Sequence, residues 1–180
     1  AVTGRIFTAE HHVYDLPPLL SWNVRHTGTV PCDSWSVTAV YQPEMLTVLR
    51  MAAGFAAIEY GMTQLRGIVD EYTVELGSGG MTVTLSGRGY AARLLDNESR
   101  PVTYEQVTLW ELIRCHAEPY GISCGAAADL RSTVPYTAGA GISQWKVISE
   151  FCRTYGGFLP RFAKTGELLA TPEQDSGKRI

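Results

Sequence analysis

The stretch GIVDEYTVELGSGGMTVTLSGRGYAARLLD (67–96) decides how the rest of the chain is read. Ile68, Tyr72, Val74 and Leu76, then Met81, Val83 and Leu85, are apolar, with polar residues at most positions between them. A period of two puts successive side chains on opposite faces, so these are two strands of a sheet with one covered face. Gly77, Gly79 and Gly80 can adopt the positive φ of a hairpin connection. The period then changes, and Tyr90, Leu94 and Leu95 share one side of a short helix entered through Gly87 and Gly89.

Gly87, Gly89 and Ala92 also satisfy G-x-G-x-x-A after a strand and before a helix. In a dinucleotide site such small residues let a phosphate approach the backbone at the helix N-terminus. That use also needs a following parallel strand ending in Asp or Glu about 20 residues on. Here an antiparallel hairpin precedes the motif, and Pro101 and a helix follow it. No cofactor is therefore expected. Gly87 and Gly89 read as a sharp exit from strand to helix, with Arg88 facing solvent or a partner.

Upstream, Arg5–Phe7 reads as an edge strand and His11–His12 as exposed chain. Pro17–Pro18 makes a rigid lead-in that cannot donate to a ladder. Leu19–Arg25 is a strand with Leu20, Trp22 and Val24 on one face. After a turn at Thr27–Asp33, Ser34–Tyr41 is another, with Trp35, Val37 and Ala39 together. Glu44–Arg50 reads as a helical turn. A strand centred on Phe55–Glu59 passes through a Gly61–Met62 turn into the strand beginning near Gln64.

Downstream, Thr108 and Glu111 form a capping box for a helix carrying Leu109, Trp110, Leu112, Ile113 and Ala117. Pro119 and Gly121 stop it. Residues 120–125 read as a short strand, Ala126–Ser132 as a loop and Thr133–Thr137 as a further strand. Ser143 caps a second helix with Trp145, Ile148, Phe151, Cys152 and Tyr155 inward, closed by Gly156–Gly157. Phe158–Phe162 and Glu167–Thr171 read as a hairpin around Lys164–Gly166.

The fold class expected is α+β. Residues 1–100 form a mainly antiparallel, barrel-like domain left incomplete and completed by further chain. Residues 101–172 form a small inserted α/β domain of two helices on a short sheet, and 173–180 a polar tail. Hydrophobic residues make up 45% of the chain and charged ones 18%, which is the composition of folded protein.

The net charge of −3 gives no long-range attraction for nucleic acid. No run approaches the roughly 18 apolar residues of a membrane span. The N-terminus shows no basic segment leading into an apolar one, so no signal peptide is expected in it. Four cysteines, at 32, 115, 124 and 152, are too dispersed for a disulfide scaffold and read as packed thiols.

Candidate chemistry is sparse. Asp70 and Glu71 are strand neighbours and so expected on opposite faces, unable to share a cleft. Asp96 and Glu98 lie at a helix exit, within reach of Arg93 or Arg100. Cys115, His116, Cys124 and Cys152 have the atoms for zinc or for a thiol nucleophile but lack the close C-x₂₋₄-C spacing of a structural site. His26 has no evident partner, and His11–His12 has no third ligand at suitable spacing. No catalytic or metal residue is assigned.

Several segments resemble a known family. GIVDEY (67–72), the strand leading through LSGRGYAARLLDNES (85–99), and HAEPYGI (116–122) are similar to tail or baseplate hub proteins of contractile-tailed phages and prophages, the late-control-D-like group. LPPLLSW (16–22), PCDSWSV (31–37), GISQWKVISEFCR (141–153) and FLPRFAKTGEL (158–168) resemble the version in prophages of Gram-positive bacteria. The similarity spans nearly all of 16–171. It implies a structural protein and not an enzyme, a virion-assembly component of a phage tail or tail-like particle put together in the bacterial cytoplasm.

It implies a homotrimer for the full-length form, joining the tail tube to the central spike through a ring of barrel-like domains. The present 180 residues would be an N-terminal portion, free to be monomeric alone. Residues 67–87 would supply ring-forming strands. The structural and assembly residues expected on this reading are Gly67, Asp70, Glu71, Gly77, Gly80, Gly87, Arg88, Gly89, Leu95 and Asp96. Two other readings stand beside it. A tail-associated carbohydrate or cell-wall binding module would show Trp22, Trp35 or tyrosines exposed on a concave face. A cell-wall hydrolase would bring two carboxylates, or a Cys and a His, into one cleft.

Overall fold

The structure is a computed structural model, and it describes residues 1–26 and 32–173. Most of the turn expected at Thr27–Asp33, and the polar tail past Glu173, lie outside the described residues. The chain divides into two compact units. One comprises Ala1–Ala92 with Lys164–Gly166, the other Arg93–Ala163 and the chain from Glu167.

The first unit is built on strands β1 (Val2–Thr8), β2 (Val13–Asp15), β3 (Leu19–Arg25) and β4 (Ser34–Val40), helix α1 (Met45–Met51), and strands β5 (Ala52–Glu59), β6 (Met62–Gly77) and β7 (Gly80–Gly89). The seven strands form one antiparallel sheet in the order β2-β1-β5-β6-β7-β4-β3. The edge expected at Arg5–Phe7 is therefore covered by β2, which pairs with it over those three residues.

The sheet curls. Trp22 of β3 and Phe55 of β5 are separated in sheet order by three intervening strands, β4, β7 and β6, yet their rings lie 6.4 Å apart across the interior. Phe55 stacks on Trp35 at 4.2 Å. Ile6, Val37, Ala39, Leu65, Val83 and Leu85 fill the rest of the inner face, with Met45 and Leu49 of α1. The end strands β2 and β3 are not paired to each other, so the barrel is incomplete.

Two of the four register shifts in this sheet change which of the expected side chains face the core. In β3 the register shifts between Leu19 and Ser21, so Leu20 is the extra residue. It is 59% exposed, and the inner face is Leu19, Trp22 and Val24 rather than Leu20, Trp22 and Val24. In β6 the shift falls between Val69 and Glu71. Gly67 and Val69 face inward before it, and Tyr72 and Val74 after it. Ile68, opposite Arg88, thus lies on the outer face and not with Tyr72.

The turns also differ from expectation. Glu59 pairs with Met62, so the β5–β6 turn is Tyr60–Gly61, both with positive φ (50° and 74°), and not Gly61–Met62. Gly77 pairs with Gly80, which leaves Ser78–Gly79 as the turn residues; of the three glycines Gly80 alone takes a positive φ, 115°.

Helix α2 (Ala91–Leu95) follows β7, and the division between units falls within it. The second unit contains β8 (Val102–Tyr104), α3 (Leu109–His116), a 3-10 turn (Glu118–Tyr120), β9 (Cys124–Ala127), β10 (Tyr136–Ala138), α4 (Gln144–Gly156), β11 (Arg161–Phe162) and β12 (Leu168–Ala170). Thr108 accepts from the Glu111 amide while Glu111 accepts from the Thr108 amide, the expected capping box. Ser143 caps α4, and Gly157, at φ 69°, ends it.

Leu112, Ile113, Val147, Ile148, Phe151 and Cys152 are buried, whereas Trp110 is exposed rather than packed. The β11–β12 hairpin forms as expected. β12 also pairs in parallel with β9, and β10 with β8. Neither pairing is visible in local sequence.

Candidate functional site

The long β6–β7 ribbon carries most of the expected assembly residues, and its bulge changes what they do. Val69 faces Gly87 and Glu71 faces Ser86, so Asp70 is inserted between them. A bulge of this kind re-aims one side chain. Here it puts Asp70 and Glu71 on the same outer face, which corrects the expectation that strand neighbours must diverge. Asp70 receives two hydrogen bonds from Arg88, from Nε at 2.9 Å and Nη2 at 3.1 Å. Ser86 Oγ donates to Glu71 at 3.3 Å.

Beneath this pair the backbones are unusually close. A Cβ on Gly87 would sit 1.8 Å from the Ile68 carbonyl oxygen, and one on Gly67 would sit 2.4 Å from that of Arg88. Trp35 lies under both positions, and its indole N–H donates to the Arg88 carbonyl at 3.3 Å. Gly67 and Gly87 are glycine because backbone and indole occupy the space of a side chain. Gly87 lies inside β7, whereas Gly89 is its last residue, with Tyr90 alone between it and the helix that starts at Ala91; Gly89 still donates to Asp33 O at 2.8 Å.

The outer face here is a groove of about 420 Å³ whose lining includes Asn23, Arg25, Ser36, Ser86, Asp70 and Glu71. Ser36 and Ser86 pair directly across β4 and β7, and small hydroxyl residues at that row leave room between longer neighbours. One row on, Thr38 and Thr84 join hydroxyls at 3.0 Å. Arg25 makes no ion pair among the described residues. His26, expected to be unpartnered, lies 3.1 Å from Asp33.

The structure thus gathers Gly67, Asp70, Glu71, Gly87, Arg88 and Gly89 into one patch. Gly77 and Gly80 lie at the far end of the ribbon, about 30 Å along at ~3.3 Å per residue. Leu95 ends α2 half-buried, and the exposed Asp96 follows it in the second unit. Arg25, Asn23 and Ser36 were missed as site residues; the signal beside them is the polar alternation Ser34, Ser36, Thr38 of β4, which lies opposite Arg88, Ser86 and Thr84 of β7.

The ribbon has a second property. β5 pairs with β6 only as far as Ile68, so among the described residues β6 is laddered on one edge alone from Val69 to Gly77. That free edge shows Glu71, Thr73 and Glu75 outward, and Leu76 near the tip is 81% exposed.

In the second unit His116 is used internally. His116 is 5% exposed, with Nδ1 2.6 Å from Gln144 Oε1 and Nε2 2.9 Å from the Tyr104 hydroxyl. Gln144 Nε2 donates to the Glu98 carbonyl and to the Tyr120 hydroxyl, so its Oε1 is the acceptor and His116 Nδ1 carries the proton.

Burial pushes the Tyr104 hydroxyl up to about 12, with Cys115 adding to the shift. Among the described residues no two cysteines form a disulfide; Cys152 is buried and Cys115 exposed. Burial, reinforced by Cys124, pushes Cys152 up to about 12, the opposite of what a nucleophilic thiol requires. Among the described residues no three His, Cys, Asp or Glu side chains form a metal-binding group, and no helix is long and apolar enough to cross a membrane. Trp35 is 2% exposed and Trp22 packs against the core, so neither forms an aromatic platform on a concave face.

No sequence family and no curated protein matches this chain. Solved structures do match its fold. The tail protein from Neisseria meningitidis MC58 superposes on all of it with a TM-score of 0.71 at 14% identity, over 53% of that protein. The 43 kDa tail protein of prophage MuSo2 from Shewanella oneidensis superposes on 96% of it at TM-score 0.67 and 15% identity, over 55% of its own length. The E. coli c3393 protein, a type VI secretion component described as similar to T4 tail proteins gp27 and gp5, matches 99% at TM-score 0.51 and 12% identity, over 47% of its own length. The chain therefore has the fold of about half of each of these proteins.

Proposed function

We propose that this chain is a structural, non-catalytic component of a phage-like tail, placed at the baseplate hub between tail tube and central spike. The supporting observation is the superposition on two tail proteins, one of them from a prophage, across at least 96% of the chain. The resemblance of its sequence to late-control-D-like hubs of Gram-positive prophages points the same way. The free edge of β6 is a surface suited to assembly, because an unpaired strand edge is completed by another strand. On this reading residues 1–100 belong to a homotrimeric ring finished by further chain, residues 101–172 are the inserted element, and the place of action is the virion tail or a tail-like particle.

The test is localisation. Tail particles from the producing bacterium, labelled with an antibody to this chain and viewed by electron microscopy, are expected to carry label at the tube–spike junction. Label elsewhere on the particle sinks the hub assignment, and particles without the chain sink the tail role altogether.

The bulge gives a hydrolase reading one specific observation, since two carboxylates now share a groove. Both oxygens of Asp70 are held by Arg88, which leaves Glu71 as the carboxylate able to act there. Glycan hydrolysis needs a working pair. Loss of any cell-wall-degrading activity of the purified chain on Glu71→Gln would establish that reading in place of the structural one.

A further inference from the structure

We infer that the free edge of β6 is completed by β3 of a second copy of this chain, in a head-to-tail contact that continues the sheet from molecule to molecule. This deepens the ring-forming role proposed above, and rests on it. β3 and β2 are the end strands of the sheet, so β3 also has an edge with no partner strand among the described residues. Strand direction alternates through β3, β4, β7 and β6. A copy related by translation or rotation about the strand axis therefore offers its β3 antiparallel to β6.

Charge and apolar pattern select this partner. The outer residues of the β6 edge are Glu71, Thr73 and Glu75 and the inner ones Tyr72 and Val74. The outer residues of β3 are Ser21, Asn23 and Arg25, with Trp22 and Val24 inner. Pairing Arg25 with Glu71 puts Val24 opposite Tyr72, Asn23 opposite Thr73 and Trp22 opposite Val74, so both faces match at once. Arg25 is exposed and makes no ion pair among the described residues, so the contact supplies its partner.

The symmetric alternative centred on Thr73, β6 against β6, sets Glu71 opposite Glu75 twice in the same antiparallel ladder. Like charges directly opposite in a sheet are destabilising. A heterologous contact of this kind closes into a ring if its rotation allows, and extends as a filament if it does not.

Cysteine cross-linking reads the register. In a Cys115→Ser background, Asn23→Cys and Thr73→Cys proteins mixed and oxidised at high concentration are expected to give an Asn23–Thr73 cross-linked dimer, with neither variant linking to itself. Arg25→Glu or Glu71→Arg should each weaken the link about tenfold, and the double exchange should restore it. A Thr73–Thr73 dimer, or no link above the level of an unrelated surface pair, overturns the inference. Particle labelling at the tube–spike junction together with absent cross-links would refute this strand pairing while leaving the hub role intact. Absent label with cross-links present would do the reverse.

Discussion

The two units of this chain reach order by different means. The first relies on backbone proximity and an apolar interior: Gly67 and Gly87 admit β6, β7 and the Trp35 indole to the same small volume, and Trp35 stacks on Phe55. The second relies on side-chain hydrogen bonds: a capping box at Thr108, a cap at Ser143, and a buried chain from Tyr104 through His116 and Gln144 to Tyr120. Sheet registers tolerate no added atoms where strands touch, whereas helix ends and buried polar groups tolerate no missing partners. Substitutions should therefore damage the first unit by addition and the second by deletion.

The largest expected effect is Gly87→Val. Its Cβ would overlap the Ile68 carbonyl oxygen, so β6 and β7 must part and the Trp35 seat is lost. We expect a loss of about 4 kcal/mol or more, read by denaturant unfolding followed through tryptophan fluorescence. Gly89→Ala is the control. Its nearest neighbour would be 3.8 Å away, and the change should stay within about 0.5 kcal/mol. Equal effects at both positions would refute the close-approach account.

Next is Gln144→Ala in the second unit. It strips His116 Nδ1, the Tyr120 hydroxyl and the Glu98 carbonyl of a partner together. Leaving such groups unsatisfied costs about 2–3 kcal/mol. Thermal unfolding of the variant by circular dichroism would show it; an unchanged midpoint would mean the network contributes nothing net.

Thr108→Ala removes the cap of α3 and should cost about 1 kcal/mol. A pH dependence accompanies it. Hydrogen bonds from the Thr108 backbone and then from its side chain hold Glu111 below the usual glutamate range. A carboxylate depressed in the folded state adds stability above its unfolded pKa and loses it as pH falls through the folded one. The gap between wild type and variant should narrow as pH drops below the glutamate range, and a gap that widens there would reverse the sign of the argument.

The smallest effect belongs to the surface pair. Arg88→Ala removes both hydrogen bonds to Asp70, but each side chain is 36% exposed. Half-solvated pairs contribute at most about 1 kcal/mol. A much larger loss would mean that the bulge itself depends on this contact.

What could be read from the sequence follows the same division. Thr108 with Glu111, and Ser143, are local signals, because a cap bonds amides within three residues, and both helices stand where those residues put them. Trp35, Val37 and Ala39 were legible as one buried face because no bulge interrupts β4. Leu20 and Ile68 were misplaced because a bulge inserts one residue and reverses every later side chain, with no local mark of its own. The groove with both Asp70 and Glu71 was hidden by the same event.

Strand period, helix caps and an acidic, charge-poor composition were determined by the sequence alone, since each depends on residues close along the chain. So was the α+β class. Strand order, the curl that brings Trp22 over Phe55, the bulge at Asp70 and the free edge beyond Ile68 were decided only by tertiary structure. Each depends on which strand lies beside which, and that is settled by burial across the whole sheet rather than by neighbours in sequence. The stretch 67–96 therefore showed two strands and a helix, while its meeting of two backbones over one indole came from the fold.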